Sequence, residues 1–383
     1  MSAPRRVVVT GMGMVSAAGA GGAGAIAAAL ARPATGIAPV RAFETTGWPS
    51  VLGAEVDDAV MEALIDRDAA RRLSRICRFT VAACRLAMED GRVEAGPQLG
   101  LVVGTEFGDF RSSGDFATGY LTRGPGGLSP MLFPGTVMNA MGAAASIAIG
   151  AKGPTVTVNQ ATIGGDLAVA RAAALIAGGH AETVLAGGVD ELCGPVYRRL
   201  AEMGVLSPMR RGAHRPGEEG CRPFAADHNG PVLGEGATFV VLEDRELARA
   251  RGASIVAEVA AAAWGNIPVA PHTAPPRRPD PRSPLRRGLE SAGLTAAALR
   301  GVWAAGNGDP ALDDWEQALL AVDLAANPAL LPPRSLAPQF GQHGGLGVLR
   351  VAAAALAAGD GPALAHGLAR GGCRTAILVA RPA

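Results

Sequence analysis

The sequence predicts an α/β protein on a mainly parallel sheet, and three observations carry that expectation. Apolar runs of strand length stop at glycines. Longer segments with apolar residues at helical spacing separate them. The chain has 383 residues, 49% hydrophobic and 18% charged, enough for one large body or two domains with a sizeable core. Strands alternating with helices imply βαβ units.

Residues 7–16 read as a buried strand closed by a glycine turn, with a helix from about Gly22. Residues 67–90 place Leu73, Ile76, Phe79, Val81, Leu86 and Met88 at helical spacing with arginines opposite, which predicts one helix. Residues 99–104 form an apolar strand. In residues 108–121 a helix would put Ser112, Phe116 and Tyr120 on one face, since they are four apart. Residues 133–150 predict a small-residue helix. Next come a short strand at 156–158 and a mostly apolar helix at 165–178. A strand at 183–188 stops at two glycines, and another spans 237–243. Residues 262–287, crowded with Pro and Arg, predict a surface loop. The pattern then resumes: helix 285–292, strand 301–305, helices 314–324 and 345–358, and a last strand 375–380. Two α/β halves, residues 1–244 and 245–383, are expected to meet near residue 245.

Composition narrows the function classes. The net charge of +1 gives no sign of a nucleic-acid partner. Lys152 is the sole lysine among many arginines, which reflects a GC-rich coding sequence. Cys77, Cys84, Cys193, Cys221 and Cys373 lack metal or redox spacing, as expected in a reducing cytoplasm. The Ala/Gly run at 17–31 is too weakly apolar to span a membrane, and no targeting segment is expected. His180, His214, His228, His272 and His366 read as loop or turn histidines with no ligand spacing. Asp309, Asp313, Asp314 and Glu316 read as acids favouring a helix start rather than a metal box.

Several ordered blocks resemble the ketosynthase branch of the thiolase superfamily. They are Arg5-Arg-Val-Val-Val-Thr-Gly-Met-Gly13, Val102-Val-Gly-Thr105, Gly153-Pro-Thr-Val-Thr-Val-Asn-Gln-Ala-Thr162-Ile-Gly-Gly-Asp-Leu167, and the long run from Cys221-Arg-Pro-Phe to Gly234-Glu-Gly236. The resemblance implies a five-layered α/β/α/β/α body of two similar halves. It also implies a dimer in which the strand Thr155, Val156, Thr157 and Val158 pairs across the interface.

The same resemblance carries expectations about chemistry. A ketosynthase holds its acyl chain on a cysteine thiolate, whose pKa helix-terminal amides and a nearby charge lower. Two histidines donate to the malonyl thioester carbonyl as carbon dioxide leaves. Aligned on these blocks, the nucleophile position reads Thr162. The family's Asn-Ala-His-Gly-Thr block becomes Trp303-Ala-Ala305-Gly-Asn-Gly-Asp-Pro310, with Ala305 for histidine. Its Lys-x-x-x-Gly-His block becomes Ala337-Pro-Gln-Phe-Gly-Gln342, with Ala337 for lysine and Gln342 for histidine. His343 lies one residue beyond, and a one-residue gap would bring it into register. Gln160, two residues before Thr162, is similar to the glutamine that fills the lost site in chain-length factors. Arg370 stands where the family keeps a gating phenylalanine.

The pattern resembles the chain-length factor of a type II polyketide synthase: no catalytic residue, no metal and no cofactor. The resemblance implies two partners, an active ketosynthase in a heterodimer and an acyl carrier protein bearing the growing chain. Tunnel and interface candidates are Phe110, Ser112, Phe116 and Tyr120, then Met138 and Met141 at the end wall. Arg71, Arg72, Arg75 and Arg78 read either as a solvated helix face or as a surface for an acidic carrier. The lost lysine and gate favour a reducing, polyene-forming system. A malonyl-carrier-protein decarboxylase and a structural homodimer without a synthase partner are the alternatives. The expected location is the cytoplasm, with no membrane contact.

Overall fold

The computed structural model describes residues 4–32, 34–209, 217–270, 282–330 and 332–382. The chain opens with β1 (Val7–Ser16), β2 (Gly19–Gly21), α1 (Ala23–Ala31), β3 (Ile37–Pro39) and β4 (Leu52–Ala54). Three helices follow, α2 (Asp58–Leu64), α3 (Arg67–Arg72) and α4 (Arg75–Gly91), then β5 (Leu99–Thr105), α5 (Phe110–Arg123), α6 (Ala140–Ile149) and β6 (Thr155–Asn159). Next are α7 (Gly164–Ala177), β7 (Thr183–Asp190), α8 (Gly194–Met203), β8 (Gly236–Asp244), α9 (Arg245–Ala250) and β9 (Ala257–Asn266). The remainder is α10 (Pro284–Ser291), β10 (Gly301–Trp303), α11 (Pro310–Asp323), α12 (Ala337–Phe340), α13 (Gly345–Leu356), β11 (Ala363–Leu368) and β12 (Cys373–Ala380).

The strands lie in the order β10-β11-β12-β9-β1-β8-β7-β5-β6, with β2 paired to β1. Only Val7, Val8 and Val9 of β1 join β9, so the path turns there. The sheet is mixed, not mainly parallel as expected: among the described residues β5–β6, β5–β7 and β10–β11 pair parallel, while β1–β2, β1–β8, β1–β9, β7–β8, β9–β12 and β11–β12 pair antiparallel, since apolar runs buried on both faces do not record strand direction. Strand sets with apolar residues on both faces are covered by helices on each side, which gives five layers. Helices α7 and α13 are the middle layer, sharing one core with β7 and β8 on one side and β11 and β12 on the other. α4 and α6 cover the outer face of the first strand set, and α10 and α11 that of the second. β1 reaches α4 closely because it carries glycine: a Cβ on Gly13 would stand 2.2 Å from the Ala83 carbonyl oxygen. Among the described residues no helix is long and apolar enough to cross a membrane.

Several boundaries differ from the sequence expectation. The helix expected at 67–90 is two helices, because Leu73 is extended and Ser74 starts a new one. The amphipathic period ran through the break because α3 buries nothing and α4 supplies the apolar face. The helix expected at 133–150 begins only at Ala140. Pro134 and Gly135 lie in a 3₁₀ turn, and Val137 is extended. The loop expected from 262 is instead strand to Asn266, held along its length by β12. Residues 271–281 of that expected loop, and His214 and His272, lie outside the described residues. The strand expected to stop at Gly188 continues to Asp190, paired with β8. His366 sits in β11, buried, and not in a loop.

Candidate functional site

The carboxyl ends of the parallel strands β5, β6 and β7 converge on the start of α7, where open α/β sheets gather binding groups. Thr162 lies there, 8% exposed, in a left-handed conformation at φ 63°. That conformation is an outlier for a β-branched residue and marks a sharp strand-to-helix turn. Its backbone N–H donates to Glu106 Oε2 at 2.9 Å. Close approach of glycines lets α7 sit on β5: a Cβ on Gly104 would stand 2.2 Å from Gly164 backbone.

Asp190 ties the site together. It accepts from the Thr105 hydroxyl at 2.6 Å, from the Glu106 and Phe107 amides at 3.1 Å, and from the Gly344 amide at 2.7 Å. Burial pushes its carboxyl up to about 6 despite these donors. Burial, and then the neighbouring Asp190, push Glu106 up to about 7. The 341–345 loop crosses the start of α7. A Cβ on Gly165 would meet the Gly344 carbonyl at 2.5 Å, and one on Gly188 would meet it at 2.1 Å.

In that loop Gln342 is fixed by its backbone, donating to Val232 O at 2.8 Å and accepting from the Gly234 amide at 2.9 Å. Its Oε1 is 3.5 Å from Asn307 Nδ2, and its buried Nε2 has no partner. His343 is buried and its Nδ1 accepts from the Gly345 amide at 3.1 Å. Burial, helped by Arg350, lowers its ring to about 4, so it is neutral at physiological pH. Its Nε2 is buried without a partner.

Ala305 and Ala337 are buried. The Ala305 amide donates to Glu316 Oε1 at 3.0 Å, and His366 Nδ1 lies 2.5 Å from the same oxygen. Asp313 accepts from the amides of Phe224 and Asn307, each at 3.0 Å, and faces His228 Nδ1 at 3.4 Å. Burial raises Asp313 to about 6. Asp309 caps α11 and pairs with Arg370 at 2.6 and 2.7 Å. Asp313 and Glu316 are therefore not merely acids at a helix start: both are buried with fixed partners. Among the described residues no His, Cys, Asp and Glu group is placed to hold a metal ion.

The structure brings Thr162, Gln342, His343 and Asn307 into one connected region, with Ala305 behind it. Sequence reasoning missed Glu106 and Asp190. The available signal was an acid just after an apolar strand, at the end where sites collect. The buried pair Asp166–Arg350, at 2.7 and 2.9 Å, was also missed; it links α7 to α13 beneath the site. Arg75 does not lie on a solvated face. It binds Glu235 at 2.6 Å and Asp58 at 2.6 Å.

The interface candidates occupy another surface. β6 ends the strand order, and among the described residues nothing pairs with its outer edge. Beside it a groove of about 510 Å³ is lined by Met138, Ser146, Thr155 and Thr157 among others. Phe110, Tyr120 and Met138 are exposed on the same stretch, with Leu121 at 81%, Met131 at 88% and Phe133 at 58%. Phe116 and Ser112 are half-buried, and the Phe116 ring lies 5.9 Å from that of Phe133. Met138 and Met141 both border Gly108, but Met141 is fully buried with Leu101 and Val103. Gln160 is half-buried, and its amide closes the ladder on Thr105 O at 3.1 Å.

Residues 4–248 match the model of the β-ketoacyl synthase N-terminal domain. The 3-oxoacyl-[acyl-carrier-protein] synthase 2 of Coxiella burnetii is 29% identical over 321 residues, 82% of this chain and 75% of that protein. Its counterpart in Vibrio cholerae is 30% identical over 315 residues, 81% and 75% of the two chains. Among solved structures, the ishigamide ketosynthase/chain length factor superposes with a TM-score of 0.86 at 25% identity, covering 100% of both chains. A type II polyketide synthase acyl-carrier protein in complex with its ketosynthase bound to the hexaketide gives 0.84 at 20% identity, over 99% of this chain and 100% of that one, a likeness of fold. With its layers, its strand-to-helix turn at Thr162 and these matches, the chain belongs to the β-ketoacyl synthase family.

Proposed function

We propose that this chain is a non-catalytic chain-length factor that pairs with an active ketosynthase and shapes a polyketide tunnel at their interface. The observation that carries this reading is the residue set around the start of α7. Aligned on the family blocks, a hydroxyl at Thr162, a methyl at Ala305 and an amide at Gln342 take the places of the thiolate and two imidazole donors that acyl transfer needs, which supports this reading. His343, the nearest imidazole in sequence, is buried and neutral. No relocated thiol takes over: burial raises all five cysteines, Cys77 to about 11 and Cys221 to about 12, the opposite of activation.

The open edge of β6 and the exposed apolar side chains beside it support a partner subunit, since monomers rarely leave such an edge and patch uncovered. The likeness to the ishigamide ketosynthase/chain length factor points the same way. In this reading Thr155, Val156, Thr157 and Val158 pair with the ketosynthase. Phe110, Ser112, Phe116, Tyr120 and Met138 lie along the growing chain, with Met141 behind them, and Gln160 fills space by the lost site. The chain itself arrives on an acyl carrier protein. A reducing, linear-chain system suits the missing lysine and gate.

The test is native mass spectrometry of the chain co-expressed with an active type II polyketide ketosynthase from the same genome. A one-to-one complex, with little soluble chain alone, is expected. A stable homodimer that ignores the ketosynthase refutes the reading, and carbon dioxide release from malonyl carrier protein by the isolated chain would make it a decarboxylase.

A further inference from the structure

We propose that Glu106 is a built-in occupant of the degenerate acylation site: its carboxylate holds the Thr162 backbone N–H that a thioester oxyanion would need, closing the site by a device independent of the missing thiol. The inference rests on reading Thr162 as the lost nucleophile position.

Acyl transfer builds negative charge on the carbonyl oxygen beside the nucleophile. Backbone N–H groups at a strand-to-helix turn are the usual donors to it, and losing one such donor costs about 10²–10³ in rate. In this chain the donor at that turn is taken, at 2.9 Å, by a carboxylate from a neighbouring strand end. Glu106 reaches it by design of the backbone. Its own amide is held by Asp190 at 3.1 Å, and its carbonyl accepts from Asn159 Nδ2 at 2.9 Å. Anchored on both sides, residue 106 has its side chain aimed at Thr162.

The arrangement is costly in two ways. A β-branched residue is kept at φ 63°, and a carboxylate is placed against Asp190 in a buried setting. A plain turn would avoid both costs. The contact instead completes the turn while denying it to an acyl group. Restoring a thiol at position 162 is therefore insufficient. A thiolate there would face a carboxylate, and its attack on a thioester would form an oxyanion with no free amide to receive it.

The experiment uses the full chain purified with its ketosynthase, in three variants: T162C, T162C/E106Q and T162C/E106A. Each is exposed to acetyl-N-acetylcysteamine and, separately, to iodoacetamide, and the intact mass of each subunit is followed. In acetylation the introduced thiolate forms an S–C bond, the thioester C–S bond breaks, and the departing N-acetylcysteamine thiolate takes up a proton. Alkylation needs no oxyanion donor and reports only whether the thiol is reachable.

T162C should alkylate but acetylate barely above the unmodified chain. E106Q keeps an oxygen on the Thr162 amide, so acetylation should stay low. E106A should raise acetylation at least about tenfold over T162C, since it frees one oxyanion donor. Equal acetylation of T162C and T162C/E106A overturns the proposal. Should the thiol variants fail to fold, hydrogen exchange of E106A decides. Faster exchange in the peptide containing Thr162 supports the contact, and unchanged exchange overturns it. Failure of the unmodified chain to pair with a ketosynthase counts against the proposed role and leaves this test standing, because acetylation is read on the chain's own mass.

Discussion

A proline at position 157 should separate association from folding. In the parallel β5–β6 ladder, the Leu101 amide donates to Pro154 O at 2.9 Å and the Gln160 amide donates to Thr105 O at 3.1 Å. Alternate residues of a parallel strand direct their backbone groups to the same side. Residues 154, 156, 158 and 160 therefore face β5, while Thr155, Thr157 and Asn159 present theirs to the open edge. T157P removes one outward N–H and none of the inward ones. Proline is tolerated on an edge strand in this orientation, so the fold should lose at most about 1 kcal/mol. A partner strand would lose the bond to that donor, and the ring would push aside one neighbouring bond. Two bonds at about 0.5–1.5 kcal/mol each amount to about 1–3 kcal/mol, or roughly 5- to 150-fold in Kd. V156P is the counterpart: it removes an inward donor and should lower the melting temperature instead. The assay is sedimentation of each variant with the ketosynthase, beside thermal unfolding. If T157P keeps the native Kd, or if both variants lose stability alike, the edge is not the pairing surface.

The buried Asp166–Arg350 pair should be costly to break. R350M leaves a buried carboxylate unpaired and should cost about 3–5 kcal/mol in urea unfolding, whereas D166L/R350M should recover most of that. Stability should also depend on pH with opposite signs at two groups. Glu106 is raised to about 7, so the folded state holds its proton longer than the unfolded chain; its contribution is complete below about 4.5 and is lost as pH rises to about 7. His343 is lowered to about 4, so its contribution grows as pH rises from about 4 to about 6.5. E106Q should therefore flatten the fall in melting temperature between pH 5 and 7, and an unchanged slope would show that this carboxyl does not titrate there. M131S/F133S should raise the solubility of the isolated chain and weaken its complex with the ketosynthase, as judged by co-purification. S112W should shorten the product of the reconstituted complex by mass spectrometry, and an unchanged product removes α5 from the tunnel.

Much of the body was legible in the sequence because burial leaves a local record. β1, β5, β7 and β8 are buried along nearly their whole lengths and read as apolar runs near glycine. The small-residue helices α7 and α13 also read correctly, because the middle layer is apolar on several faces. The ordered blocks around Thr162, Ala305 and Gln342 carried the family. Periodicity could not show where α3 ends and α4 begins, since Leu73 and Ser74 keep the spacing while the backbone leaves the helix. Nor could it distinguish Met138, exposed beside the edge strand, from Met141, sealed three residues away.

Contacts between distant residues belonged to the tertiary structure alone. Glu106 meets Thr162 across 56 positions, His366 meets Glu316 across 50, and Arg350 meets Asp166 across 184. Glu106 and Asp166 read in sequence as two acids among 34, and Glu316 as one of a cluster at a helix start. What separates them is burial beside one partner, and that is set when strand ends and helix starts from different parts of the chain are packed together. The sequence by itself determined the family and the residues, Thr162, Ala305 and Gln342, on which the proposed loss of chemistry rests. Only the packing decided that Glu106 meets the Thr162 amide, because a hydrogen bond depends on distance in space and leaves no period along the chain.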